Sequence, residues 1–236
     1  MILIERLTLF HWLDYAALAL LLLSSAGIGY RIENPPRNRP SVSILMSGFR
    51  RDWMHQMVSR DPRIFDAQLL TNLRQGTAFL ASATMIAIGS GLALVGNTER
   101  LAGLAADLTL ADAPAIVWEI KVLVMVLFLS NAFLKFVWAH RLFGYCGVVI
   151  AAVPNDAKDP KAYPRAAQAA EISITASRSF NRAMRATYFA LAAAAWLLGA
   201  VPLILATVLT CAMLYRREFA SRSRTILLTL PPDTQS

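Results

Sequence analysis

Charge, cysteine and histidine are all scarce in this chain. Only 16% of its 236 residues are charged, against about one quarter in a typical soluble domain, while 56% are hydrophobic. That balance argues against an ordinary soluble globular protein. The two cysteines, Cys146 and Cys211, sit in apolar surroundings without Cys-x-x-Cys spacing, so they read as inert core thiols. The three histidines do not make a site: His11 precedes the first apolar stretch, whereas His55 and His140 lie beyond it, so a bis-histidine haem or a metal centre is not expected. Also missing are a glycine-rich phosphate loop, a carboxylate pair at useful spacing and a visible nucleophile–base pair. Neither a cofactor nor an enzymatic activity is therefore expected.

What is present is apolar length. Four stretches, near residues 12–30, 77–96, 115–138 and 188–215, each supply the about 20 residues that cross a bilayer core of about 30 Å. The fold expected is all-α: a single polytopic membrane bundle over residues 1–236 with four transmembrane helices. Ser24-Ser25-Ala26 resembles a signal-cleavage site. However, only Arg6 precedes the run as a base, and Arg31, Arg37 and Arg39 follow it, so the first span is read as retained.

The net charge of +8 would suggest nucleic acid in a soluble protein. Here the bases cluster beside the spans, where anionic lipid headgroups account for them, and no nucleic-acid partner is expected. Residues 31–74 carry eight arginines against four acids, and residues 139–187 carry seven bases against three acids. The short connection 97–114 has only Arg100 against Glu99, Asp107 and Asp112. The positive-inside rule makes the two basic segments cytoplasmic and puts the N-terminus outside, in what reads as a bacterial inner membrane. The C-terminus resists this scheme. Four crossings put it outside, yet it begins with Arg216, Arg217, Arg222 and Arg224. Pro202 could break the last stretch into two short arms that bring the tail back inside; four crossings are preferred because each arm would be short.

The helices look longer than a membrane needs. Asp61-Pro62 marks a helix start and no proline follows until Pro114; the third helix runs free of proline from Pro114 to Pro154, and the fourth runs from Pro164 to at least Gly199. Each exceeds the bilayer by roughly 20 Å, which predicts long cytoplasmic extensions forming a helical stalk or vestibule. A further helix is expected over 41–59, with Val42, Leu45, Phe49, Trp53 and Met57 on one face. It lies either in the membrane interface or against the stalk.

Two sets of polar residues stand out. Glu119, Lys121 and Asn131 fall within or beside the third span, where charge is costly and often functional, although both Lys121 and Lys135 remain within snorkelling reach of an interface. Arg178, Arg182 and Arg185, at i, i+4 and i+7, form one stripe just before the last span. Three guanidiniums on one face suit phosphate or carboxylate groups, because each fork donates two parallel hydrogen bonds; the plain alternative is topological anchoring. Small residues recur at four-residue spacing, as Ala83, Ala87 and Gly91 and as Ala186, Ala190 and Ala194. These serve either the packing of one bundle or the contact between copies.

The run Phe180-Asn181-Arg182-Ala183-Met184-Arg185-Ala186-Thr187-Tyr188-Phe189-Ala190 resembles the signature of the domain-of-unknown-function family 599, a group of multi-pass membrane proteins. Ala132–Arg141 (AFLKFVWAHR), Arg63–Ala67 (RIFDA) and Arg217-Glu218-Phe219 add ordered matches, so that the resemblance covers roughly residues 10–225. The family pattern usually has glycine-leucine where this chain has Ala183-Met184. The resemblance implies fold and location and leaves the activity open. It singles out Lys135, Trp138, Arg141, Asn181, Arg182 and Arg185, which places a candidate anion- or lipid-binding site at the cytoplasmic ends of the third and fourth helices. The function expected is an oligomeric, channel- or transporter-like membrane protein handling an anionic solute or lipid. The competing expectation is an accessory or scaffold subunit of a larger membrane complex.

Overall fold

The structure, a computed structural model, describes residues 9–97, 103 and 114–229. Every element among them is helical: α1 (Trp12–Glu33), α2 (Val42–Met57), α3 (Ile64–Val95), α4 (Ala115–Ala151), α5 (Ala162–Ala194), a 3-10 turn (Ala195–Leu198), α6 (Ala200–Phe219) and α7 (Arg222–Leu228). Most of the acidic connection 97–114, with Glu99, Arg100, Asp107 and Asp112, lies outside the described residues.

Four helical segments are long and apolar enough to cross a membrane: α1, α3, α4 and Ala200–Leu228. Their apolar surface is largely turned outward. Leu23, Phe79, Leu127 and Leu209 are each at least 67% exposed on the isolated chain. Helices apolar on the outside as well as the inside require lipid as their solvent, and this is a membrane helical bundle.

The backbone of the bundle is the antiparallel hairpin of α4 and α5. Its register is fixed from end to end. Cys146 Sγ donates to the Ala169 carbonyl at 3.4 Å, Ser179 Oγ donates to the Lys135 carbonyl at 3.0 Å, and the Phe128 and Phe189 rings stack at 6.3 Å. Alanines on α5 permit this close approach: Ala166, Ala169, Ala176, Ala183 and Ala190 are all buried. Ala186 and Ala190 are therefore spent within the chain. On the other side of α4, α3 packs through Gly91, where an added Cβ would stand 2.6 Å from Val126 Cγ2.

The far end of the hairpin is tied by arginines. Arg63 donates to the Val153 and Pro154 carbonyls, both at 2.8 Å, and Arg165 donates to the Ala152 carbonyl at 2.6 Å. These satisfy carbonyls left over at the end of α4. Arg63, the residue before α3, carries this tie, and α3 begins at Ile64 rather than directly after Asp61-Pro62. Asp66 in its first turn is fully buried and accepts from Trp53 Nε1 at 2.7 Å and from Arg60. Helix α2 thus packs on the stalk through Met54 and Met57, while Phe49, expected on the same face as Met57, is 47% exposed.

The apolar stretch 188–215 is two helices. It breaks at Gly199, three residues before Pro202, because Gly199 adopts φ 124° and ψ 175°, a backbone region essentially reserved for glycine. Pro202 then falls in the first turn of α6, where a missing N–H costs nothing. The chain reverses there. Arg217 Nη1 donates to Tyr188 Oη at 2.9 Å, and Glu218 accepts from the Ser43 backbone N–H at 3.0 Å and from Ser43 Oγ at 2.9 Å. Glu218 places a negative charge on the first turn of α2, where the helix dipole favours it. Arg224 Nε reaches the Pro40 carbonyl at 2.9 Å. The arginine-rich C-terminal segment consequently sits at the end of the bundle that holds Glu33, α2 and the stalk.

Candidate functional site: a charged belt at the mouth of two clefts

Two polar clusters mark the ends of the apolar zone. Along α1 they are Asp14 and Glu33, about 28 Å apart at about 1.5 Å per residue, close to a bilayer core. From Lys135 to Ala151, α4 projects about 24 Å further, which forms the stalk.

At the Asp14 end, Lys121 is buried rather than snorkelling: its Nζ lies 4.7 Å from the Trp118 ring centroid and 5.9 Å from that of Trp196. Trp196 Nε1 donates to Asp14 Oδ1 at 2.7 Å. Indole faces and a nearby carboxylate stabilise a cation that would otherwise be stranded. Asp14 also accepts from the His11 N–H at 3.2 Å, so His11 and Asp14 cap α1. Glu119 is half-buried and takes no part in this cluster.

At the Glu33 end the predicted arginine stripe is partly neutralised from within. Glu33 accepts from Arg182 Nε at 2.8 Å and from Nη2 of both Arg182 and Arg185. The Glu33 hydrogen bond raises the Arg182 pKa, whereas burial is the larger influence on Arg185 and lowers its value. Both remain guanidinium ions at any ordinary pH.

Around this clamp, α1, α4 and α5 enclose a cleft of about 280 Å³. Asn131, Lys135, Arg182 and Arg185 supply its polar wall, and Ala26, Gly29, Phe128 and Phe189 its apolar wall. Among the described residues no carboxylate lies within ion-pair distance of Lys135. On the other face of α5, Arg178 and Asn181 line a narrower cleft against α2, and Asn181 Nδ2 donates to Ser43 Oγ at 3.4 Å.

Two expected members stay apart. Arg141 donates to Tyr145 Oη at 2.7 Å on its own helix, and Trp138 is half-exposed; neither lines these two clefts. Two further residues join the arginine stripe from other helices, Glu33 of α1 and Arg50 of α2, and neither is marked by the spacing of the stripe itself. Among the described residues, no three histidine, cysteine or acidic side chains gather as metal ligands.

Comparison with known families gives a class without an activity. Residues 16–223 match the family described as "Protein of unknown function, DUF599", and the chain belongs to that family. No curated protein and no solved structure matches it.

Proposed function

We propose that this protein binds and moves an anionic amphiphile, a lipid or a solute with an acidic head and an apolar body, through the cleft between α1, α4 and α5. The observation that carries this reading is Lys135: a cation with no carboxylate within ion-pair distance among the described residues, lining with Asn131 and Arg182 a cleft that Ala26, Gly29 and Phe128 also border. An ammonium supplies a point charge for the head while Phe128 and Phe189 take the body. With the C-terminal arginines at the belt end, all the base-rich segments share one side. The positive-inside rule then makes that side cytoplasmic and leaves Trp12 outside, in a bacterial inner membrane. Assembly as a homo-oligomer belongs to this reading. The scaffold reading draws its support from α2, whose Ile44, Met46 and Phe49 face outward.

Mass spectrometry of protein purified in mild detergent tests the proposal. An anionic amphiphile should accompany the wild-type protein and Lys135→Arg, and should be lost from a folded Lys135→Gln. Equal retention in all three proteins refutes it, and a stoichiometric foreign subunit favours the scaffold.

A further inference from the structure

Arg50 is a partly buried guanidinium with a shielded Nε and, among the described residues, no counter-charge. Its Nη1 donates to Ser173 Oγ at 2.9 Å, its Nε is shielded from solvent and makes no hydrogen bond, and among the described residues no carboxylate pairs with it. Cys146, the titratable neighbour acting on it, is a thiol and does not neutralise it. Leaving a charge desolvated and unpaired is costly, and structures that retain one generally bring it an anion.

The surroundings are those of an anion site. Arg50 lines the cleft between α2 and α5 together with Arg178, Ser177 and Asn181. Glu33 lies at the same cleft, but its oxygens are already engaged by Arg182 and Arg185. Arg178 is exposed and has no ion-pair partner among the described residues. The nearby hydroxyls of Ser43 and Ser47 are turned to Glu218 and to the Ser43 carbonyl, at 2.9 and 3.1 Å. The donors still available are therefore the two guanidiniums, the Ser177 hydroxyl and the second amide N–H of Asn181. The water-accessible space of about 30 Å³ holds two or three water-sized bodies, which fits a single compact oxoanion and leaves no room for an acyl chain.

We infer that the cleft between α2 and α5 is a binding site for a tetrahedral oxoanion, a phosphate or a phosphate monoester head, held by Arg50 and Arg178 with Ser177 and Asn181. Glu33 and Arg185 border both clefts, but Lys135 does not line this one, and the site stands whether or not the Lys135 cleft carries an amphiphile. An anion here bridges α2 to α5 through charge-assisted hydrogen bonds, so occupancy ties the surface helix to the stalk.

Equilibrium dialysis of radiolabelled inorganic phosphate against the full-length protein in detergent, at constant ionic strength, tests the assignment. One saturable site per chain is expected. Arg50→Gln should weaken it at least tenfold, and Arg178→Gln, an exposed position with no burden on folding, at least threefold. Lys135→Gln should leave it unchanged, which separates this site from the amphiphile cleft. Glycerol 3-phosphate and a short-chain phosphatidate serve as competitors: stronger displacement by the first assigns a soluble phosphate, and by the second a lipid head. Absence of saturable phosphate binding to the wild-type protein, or unchanged binding in Arg178→Gln and in a folded Arg50→Gln, overturns the inference.

Discussion

Replacing Glu33 with glutamine removes the carboxylate that bridges Arg182 and Arg185. Arg185 has only 11% of its side chain exposed and Glu33 19%, whereas Arg182 has 46%. Deleting one partner of a fully buried pair costs about 3–5 kcal/mol, because the other charge is left unpaired in a poor solvent. Some water reaches both ends here, which brings the Arg185 contribution to about 2–3 kcal/mol, and the half-exposed Arg182 adds at most about 0.5 kcal/mol after screening. In a chain of this length each kcal/mol moves the melting temperature by about 2–4 °C, so Glu33→Gln should lower it by about 5–10 °C. Thermal unfolding in detergent at one fixed scan rate is the assay, since membrane proteins commonly unfold irreversibly. Adding Arg185→Met to Glu33→Gln should recover part of the loss by replacing a stranded cation with an apolar chain. A single variant melting within about 1 °C of wild type would show that the clamp contributes no stability, and the reasoning would fail.

Three further outcomes follow from the packing. Gly199→Ala should destabilise the turn into α6 by about 1–3 kcal/mol, read as a lower melting temperature, because φ 124° with ψ 175° is closed to a Cβ; an unchanged melting temperature would contradict the reversal at Gly199. Gly91→Ala should cost about 1–3 kcal/mol by overpacking against the stiff Val126 side chain, 2.6 Å from the new Cβ, whereas Gly89→Ala, which meets nothing within 4 Å, should be near neutral. In a background lacking Cys146 and Cys211, cysteines placed at Lys158 and Ser221 should react with a membrane-impermeant thiol reagent from the same side. Labelling from opposite sides would break the antiparallel pairing of α5 and α6.

The four long apolar helices and the lengths of α4 and α5 were legible because apolar run length and proline position act locally. The Pro114–Pro154 interval gives α4, and the proline-free run after Pro164 accounts for most of α5. The side-chain partners were not legible in the same way. Glu33 meets Arg182 across 149 positions, and nothing in the local pattern distinguishes an acid that closes a clamp from one that balances a loop. Lys121 looked able to snorkel, and it is buried because Trp196, 75 positions later, closes over it. Arg216 and Arg217, which sat uneasily with a C-terminus outside, pointed to the last apolar stretch, where the chain reverses. Pro202 drew attention to the right region, while the residue that turns the chain is Gly199, whose freedom at positive φ leaves no mark in hydropathy.

The central claim is that an anionic head sits at Lys135 with its apolar body along Phe128 and Phe189. Photo-crosslinking with a diazirine-tailed anionic lipid in nanodiscs, followed by peptide mapping, tests it most directly. Adducts should concentrate on Ala26, Phe128 and Phe189, fall at least fivefold in Lys135→Gln, and be sparse with a zwitterionic lipid of the same chain. Adducts spread over the outward faces of α3 and α6, at equal yield for both lipids and unaltered by Lys135→Gln, would mean that the cleft is an ordinary seam between helices.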